Sequence, residues 1–179
     1  MQQRGGSMSK KIAVLAVDEF EDSELVEPLR ALRKAGAEVD VISQQAGEVK
    51  GFRHADKGEA VKVDRTFDEV REGEFDALLL PGGLLRGDNR MLPAAREFVT
   101  AGKPVFAICH GGWLLGSSGV INGRKLTAWP SLQDDVKNAG GEFYDQEVVR
   151  DKDQLITSRK PDDLPAFNRE ALRLLGAGA

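Results

Sequence analysis

An apolar run, a helical repeat and a second apolar run open the chain, and this order restricts the fold more than any other feature. Lys11-Ile12-Ala13-Val14-Leu15-Ala16-Val17 has the unbroken hydrophobicity of a strand buried on both faces. Glu21 to Ala35 then places Leu25, Leu29 and Leu32 at helical spacing, with Gly36 where a helix C-terminus belongs. Glu38-Val39-Asp40-Val41-Ile42 reads as a second strand. A β-α-β order of this kind predicts a parallel sheet with right-handed crossovers.

The alternation continues. Gln44 to Asp68, with Val49, Val61 and Val63 among glycines, predicts small strands and turns. Phe75 to Leu80 is a third central strand ending at Pro81-Gly82-Gly83, and Met91 to Ala101 a helix stopped by Gly102. Pro104 to Ile108 is a fourth central strand. Further on come a short strand over Gly123–Thr127, a helix over Leu132–Ala139, and paired short strands at Val148-Val149 and Leu155-Ile156-Thr157. Asp162 or Asp163 is placed to cap a last helix carrying Phe167, Leu172 and Leu175. The expected fold is a single doubly wound α/β domain of flavodoxin-like type.

At 179 residues the chain suits one domain. Residues 1–10 are polar and glycine-containing, with a second methionine at Met8, and read as a disordered extension; the domain is expected over 11–179. A net charge of −4 gives no basic excess to neutralise phosphates, which argues against nucleic acid as the main partner. No window approaches the roughly 18 apolar residues of a membrane span. One cysteine cannot form an internal disulfide, and no signal-peptide pattern opens the chain; both point to a reducing cytoplasm. Two histidines far apart, His54 and His110, are with one cysteine a poor inventory for zinc; a carboxylate-only metal site stays open, though no EF-hand-like spacing is present, and the expectation is no metal and no cofactor.

The single cysteine, Cys109, follows the apolar run Val105-Phe106-Ala107-Ile108 and precedes His110, two glycines and the helical-looking Trp113-Leu114-Leu115. A buried strand thus ends at a thiol just before a helix. Ala107-x-Cys109-x-Gly111 imitates the small-x-nucleophile-x-small elbow, in which a sharp turn pushes the side chain out and aims backbone N–H groups at the same space. A helix N-terminus there would favour thiolate over thiol. The bland alternative is a small buried hydrophobe, the usual role of a lone cysteine at a strand end.

Ligands of open parallel sheets bind beyond the carboxyl ends of the strands. Three loops leave such ends: Asp18-Glu19-Phe20-Glu21-Asp22, Pro81-Gly82-Gly83 on to Gly87-Asp88, and Cys109-His110. If their strands are neighbours, an acidic loop, a glycine turn and a thiol share one crevice. The acids could equally serve only the helix dipole, and the glycines only a tight turn.

These segments, in order and in register, carry a resemblance. Glu19-Phe20-Glu21-Asp22, Leu80-Pro81-Gly82-Gly83, Ala107-Ile108-Cys109-His110-Gly111, Leu126-Thr127-Ala128-Trp129-Pro130-Ser131 and Thr157 through Pro165 together resemble the PfpI branch of the superfamily of the Parkinson-associated deglycase. The similarity runs from about Lys11 to the C-terminus. Its members are called intracellular protease, general stress protein or protein deglycase. The fold is that of class I glutamine amidotransferases, but those need a histidine late in the domain and none follows His110 here.

The resemblance implies that Cys109 is the reactive cysteine and Glu21 the carboxyl touching it. It implies oxyanion-hole amides at Gly83 and after the cysteine, at His110, and makes His110 the histidine of a Cys-His-Glu triad. The triad's glutamate position is Gly87 here, so Asp88 is the nearest acid and the candidate third member. Gly112 stands where many relatives have proline. The implied activity is a cysteine-dependent hydrolase of deglycase, glyoxalase-like or peptidase type. Its partners would be small carbonyl compounds or glycated or damaged protein, and a second copy of the chain in a homodimer, or a hexamer in some members. A non-enzymatic redox sensor or a holdase chaperone is the alternative. Trp113 and Leu84-Leu85, apolar and beside the crevice loops, place the expected dimer interface there.

Overall fold

The structure, a computed structural model, describes residues 9–53, 56–83 and 90–177. Most of the predicted N-terminal extension therefore lies outside the described residues, as do His54, Leu84, Leu85, Gly87 and Asp88.

Strand β1 (Lys11–Leu15) leads through the two-residue strand β2 (Phe20–Glu21) into helix α1 (Asp22–Lys34) and strand β3 (Glu38–Ser43). Strands β4 (Gly47–Arg53), β5 (Asp56–Val63) and β6 (Arg65–Thr66) follow, then β7 (Ala77–Leu80), α2 (Met91–Thr100), β8 (Val105–Ile108) and α3 (Gly111–Ser117). The remainder is β9 (Lys125–Leu126), α4 (Gln133–Asn138), β10 (Glu142–Phe143), β11 (Val149–Asp151), β12 (Leu155–Ser158) and α5 (Leu164–Leu174).

The main sheet has the order β11-β12-β8-β7-β1-β3-β6. Every pairing in it is parallel except β11 with β12 at the edge. Its five central strands follow the flavodoxin-like order 2-1-3-4-5, with the reversal of direction between β1 and β7. Side chains alternate across the pleat. Ile12, Val14, Leu79 and Phe106 pack under α1 and α5 with Leu25, Leu29, Leu32 and Phe167. Ala13, Leu15, Leu78, Leu80 and Val105 face α2, α3 and α4 with Met91, Phe98, Leu114, Leu115 and Val136. Coverage on both faces is why β1, β7 and β8 read as continuous apolar runs.

Two local expectations change. The stretch from Gln44 to Asp68 is dominated by one long antiparallel hairpin, β4–β5, and not by scattered small strands. Its glycines let it lie against the body of the domain: a Cβ at Gly58 would stand 2.7 Å from the Asp22 carboxylate. Asp163 occupies the N-cap of α5 but makes no side-chain cap hydrogen bond. Its carboxylate is held by the Arg159 side chain and backbone N–H instead.

Helix α3 sits close to the end of β7. A Cβ on Gly111 would stand 2.3 Å from the Leu80 carbonyl oxygen, too close for any side chain. Gly111→Ala should therefore destabilise the fold by about 1–3 kcal/mol, read as a lower midpoint in urea unfolding; an unchanged midpoint would show that α3 can slide away freely.

Candidate active site

Three strand ends meet where the sheet order reverses. β7 pairs with β1 on one side and β8 on the other, so the loops after all three share one crevice. Cys109 follows the last residue of β8 with φ +59, a left-handed conformation that costs a non-glycine residue about 1–2 kcal/mol. Hydrogen bonds on both sides hold it there. Its N–H donates to the Ser158 carbonyl at 3.0 Å, and its own carbonyl accepts from Trp129 N–H at 3.2 Å. The chain then turns through His110 into α3.

Two titratable side chains reach the sulfur. His110 Nδ1 lies 3.3 Å from Cys109 Sγ, although neighbouring side chains usually diverge. The left-handed cysteine turns them together, and the His110 ring is fixed by stacking on Trp129 at 5.6 Å between centroids. The His110 backbone N–H also donates toward the sulfur. The second side chain is Glu24, fully buried in the first turn of α1 and hydrogen-bonded to the thiol. Glu24 Oε2 accepts from Gly82 N–H at 3.0 Å. Glycine at 82 permits this approach, since a Cβ there would stand 2.5 Å from Oε2 and 2.8 Å from the Cys109 Cβ.

The carboxyl beside the thiol is thus Glu24, not the expected Glu21. Glu21 sits just before α1 as its N-cap and is half-buried, lining the same cavity some distance along the wall. Helix geometry explains the exchange: three residues into α1 the side chain turns inward with Leu25 and Pro28, while Glu21 still belongs to β2. Gly83 and His110 both line the cavity too. Asp88 lies outside the described residues.

Burial decides the electrostatics. It pushes the Glu24 carboxyl up to about 8, against the hydrogen bonds from Cys109 and Gly82, with the charge of Glu21 adding to the rise. Burial and the Glu24 carboxyl also push the Cys109 thiol well above its ordinary range. The expected acidifying effect of the helix N-terminus is therefore overridden. Cysteine and glutamate titrate as a pair that resists holding two negative charges. Glu24 Oε1 is buried with no hydrogen-bond partner, and burial keeps this carboxyl protonated at neutral pH.

The cavity around this pair has a volume of about 260 Å³. Phe52, Trp129 and Pro161 supply apolar wall, and Glu19, Glu21 and Glu24 supply carboxyls. Phe52 comes from the β4–β5 hairpin, which the sequence reading did not connect with the site. The available signal was Gly51 beside it, where a Cβ would stand 2.6 Å from the Phe20 ring. Among the described residues no group of three or more His, Cys, Asp or Glu is arranged to hold a metal ion. No helix of these residues is long and apolar enough to cross a membrane.

The DJ-1/PfpI family profile matches residues 10–174. The chain belongs to this family. It is 66% identical over 176 residues to "Protein/nucleic acid deglycase 2" of Escherichia coli, covering 95% of this chain and 100% of that protein. It is 49% identical to "General stress protein 18" of Bacillus subtilis, covering 94% and 99%. It is 46% identical to "Deglycase PfpI" of Pyrococcus furiosus, covering 92% and 99%. Among solved structures, DJ-1beta of Drosophila melanogaster superposes with a TM-score of 0.81 at 30% identity, covering 94% of this chain and 91% of that one.

Native Glu24 keeps its proton up to about 8, where an unfolded glutamate loses it near 4.5. Between these values the folded state holds the extra proton, so stability falls as pH rises through this window. Glu24→Gln removes that slope. Denaturation of both proteins near pH 5 and near pH 8 should show the native protein losing on the order of a few kcal/mol relative to the variant. Parallel pH profiles would contradict a protonated Glu24.

Proposed function

We propose that the protein is a cysteine-dependent deglycase, removing small α-oxoaldehyde adducts from amine-bearing substrates with Cys109 as nucleophile. The observation that carries this reading is the left-handed Cys109 with both Glu24 and His110 on its sulfur, inside a largely apolar cavity. The deglycase names of relatives at 66% and 46% identity support the same substrate class.

An α-oxoaldehyde on an amine forms a carbinolamine. His110 Nδ1, 3.3 Å from the sulfur, takes the thiol proton. The sulfur attacks the carbinol carbon; the C–S bond forms, the C–N bond breaks, and the amine leaves with the Glu24 proton. A hemithioacetal remains on Cys109. Glu24, now a carboxylate, removes the proton from its carbon and returns it to the adjacent carbonyl carbon, while the hydroxyl proton of the first carbon passes to the oxygen of the second through the enediol. The oxidation level of the first carbon rises as that of the second falls, giving a thioester. Water then releases the 2-hydroxy acid and the thiol. Amide N–H groups of Gly83 and His110 would hold the oxyanions of these steps.

A redox role of the same thiol is the second reading. It is favoured by the orphan Oε1 of Glu24, a donor ready for an oxygen on the sulfur. We further place the active unit in the cytoplasm as a homodimer.

Release of 2-hydroxy acid from a methylglyoxal-treated peptide, in a buffer free of amines, tests the enzyme reading. Cys109→Ala should fall to the buffer rate, and Glu24→Gln should lose about 10²–10⁴-fold in kcat. Native turnover no faster than Cys109→Ala would remove it. After mild peroxide, mass spectrometry should find oxygen on Cys109 before Met91; the reverse order would remove the redox reading.

A further inference from the structure

The wall of the cavity contributed by β2, β4 and the loop after β9 has a composition the deglycase chemistry does not require. Strand β2 pairs in parallel with β4, and in this register Glu21 stands beside Phe52. Both line the cavity, with Glu19 on the same loop and Trp129 as a second aromatic wall. No lysine or arginine is among the described residues lining it. The buried and unpartnered Oε1 of Glu24 marks the reacting end of the same space.

The hairpin that carries Phe52 is latched in place. Asp22, almost fully buried, binds Arg53 Nη2 at 2.9 Å through one oxygen and Glu59 N–H at 2.6 Å through the other. Arg53 directly follows Phe52, so the latch fixes the ring against β2. It also pairs the Arg53 guanidinium with Asp22, while Glu21, whose Oε1 accepts from Ser23 Oγ at 3.3 Å, lines the cavity.

Carboxylates beside aromatic faces form the environment a guanidinium prefers. It is flat, stacks on rings, and offers paired N–H donors to a carboxylate; an ammonium is a compact, strongly hydrated point charge. We propose that this wall is a guanidinium subsite formed by Glu19, Glu21, Phe52 and Trp129, and that the preferred substrates are adducts on arginine side chains. This rests on the deglycase reading for the second clause only. Glu21 and Phe52 are specificity-determining residues, and Asp22 is a positioning residue acting through the hairpin.

The test separates the subsite from the reaction. Calorimetric titration of the unmodified full chain with butylguanidinium and with butylammonium needs no turnover. Butylguanidinium should bind at least tenfold more tightly. Glu21→Gln and Phe52→Leu should each weaken it fivefold or more, with Glu19→Gln as a further variant if either fails to fold. Asp22→Asn should weaken it while leaving the rate of Cys109 alkylation at neutral pH unchanged. Equal binding of the two cations, or no loss in Glu21→Gln and Glu19→Gln, overturns the subsite. Turnover of glycated peptides without guanidinium preference overturns the subsite and leaves the deglycase reading. Guanidinium preference without turnover of arginine adducts does the reverse.

Discussion

A cysteine does not hold a left-handed backbone unaided, and the site depends on the contacts that make Cys109 do so. Its N–H is tied to Ser158 at the end of β12, and its carbonyl to Trp129 on the loop after β9. These two bonds hold the turn to neighbouring segments of the domain. Gly82 and Gly111 let the β7 loop and α3 close on it without a side chain between. Strain of about 1–2 kcal/mol is retained because the surrounding fold over-determines the conformation. The consequence is geometric: Cys109 shares one cavity with Glu24, His110 and Gly83.

Burial then sets the chemistry. A thiol and a carboxyl placed together in a dry pocket resist ionisation, so Glu24 keeps at neutral pH a proton that a carboxyl in water would have lost. That proton is the resource a reaction with an amine leaving group needs. In the proposed reaction Glu24 is the donor and His110 the acceptor, and both contact the one sulfur. The cost appears in stability, since a buried glutamate kept neutral weakens the fold as pH rises.

The fold was legible because its signals were long. The apolar runs of β1, β7 and β8 and the Leu25, Leu29, Leu32 stripe of α1 require a doubly wound sheet, and the strand neighbours follow from it. Cys109 was legible from the small residues around it. Glu24 was not, because two acids three residues apart at the start of a helix differ only in which face they present. The boundary between β2 and α1 decides that, and boundaries are the weakest part of a pattern reading. The thiol's environment was also misjudged from sequence: a helix N-terminus argues for thiolate, but burial, a tertiary property, is the larger effect here. The hairpin wall escaped notice because its short Val-rich pieces carry no long period and its role arises from a pairing with β2.

Covalent participation of Cys109 is the centre of this account, and a quenched-turnover mass spectrum tests it most directly. Protein mixed with methylglyoxal, stopped in acid within the first turnovers and digested, should carry a 2-hydroxyacyl group on the peptide containing Cys109. The group should disappear when substrate is exhausted. Acylation found only on lysine peptides, or an unmodified Cys109 peptide while hydroxy acid accumulates, would contradict it.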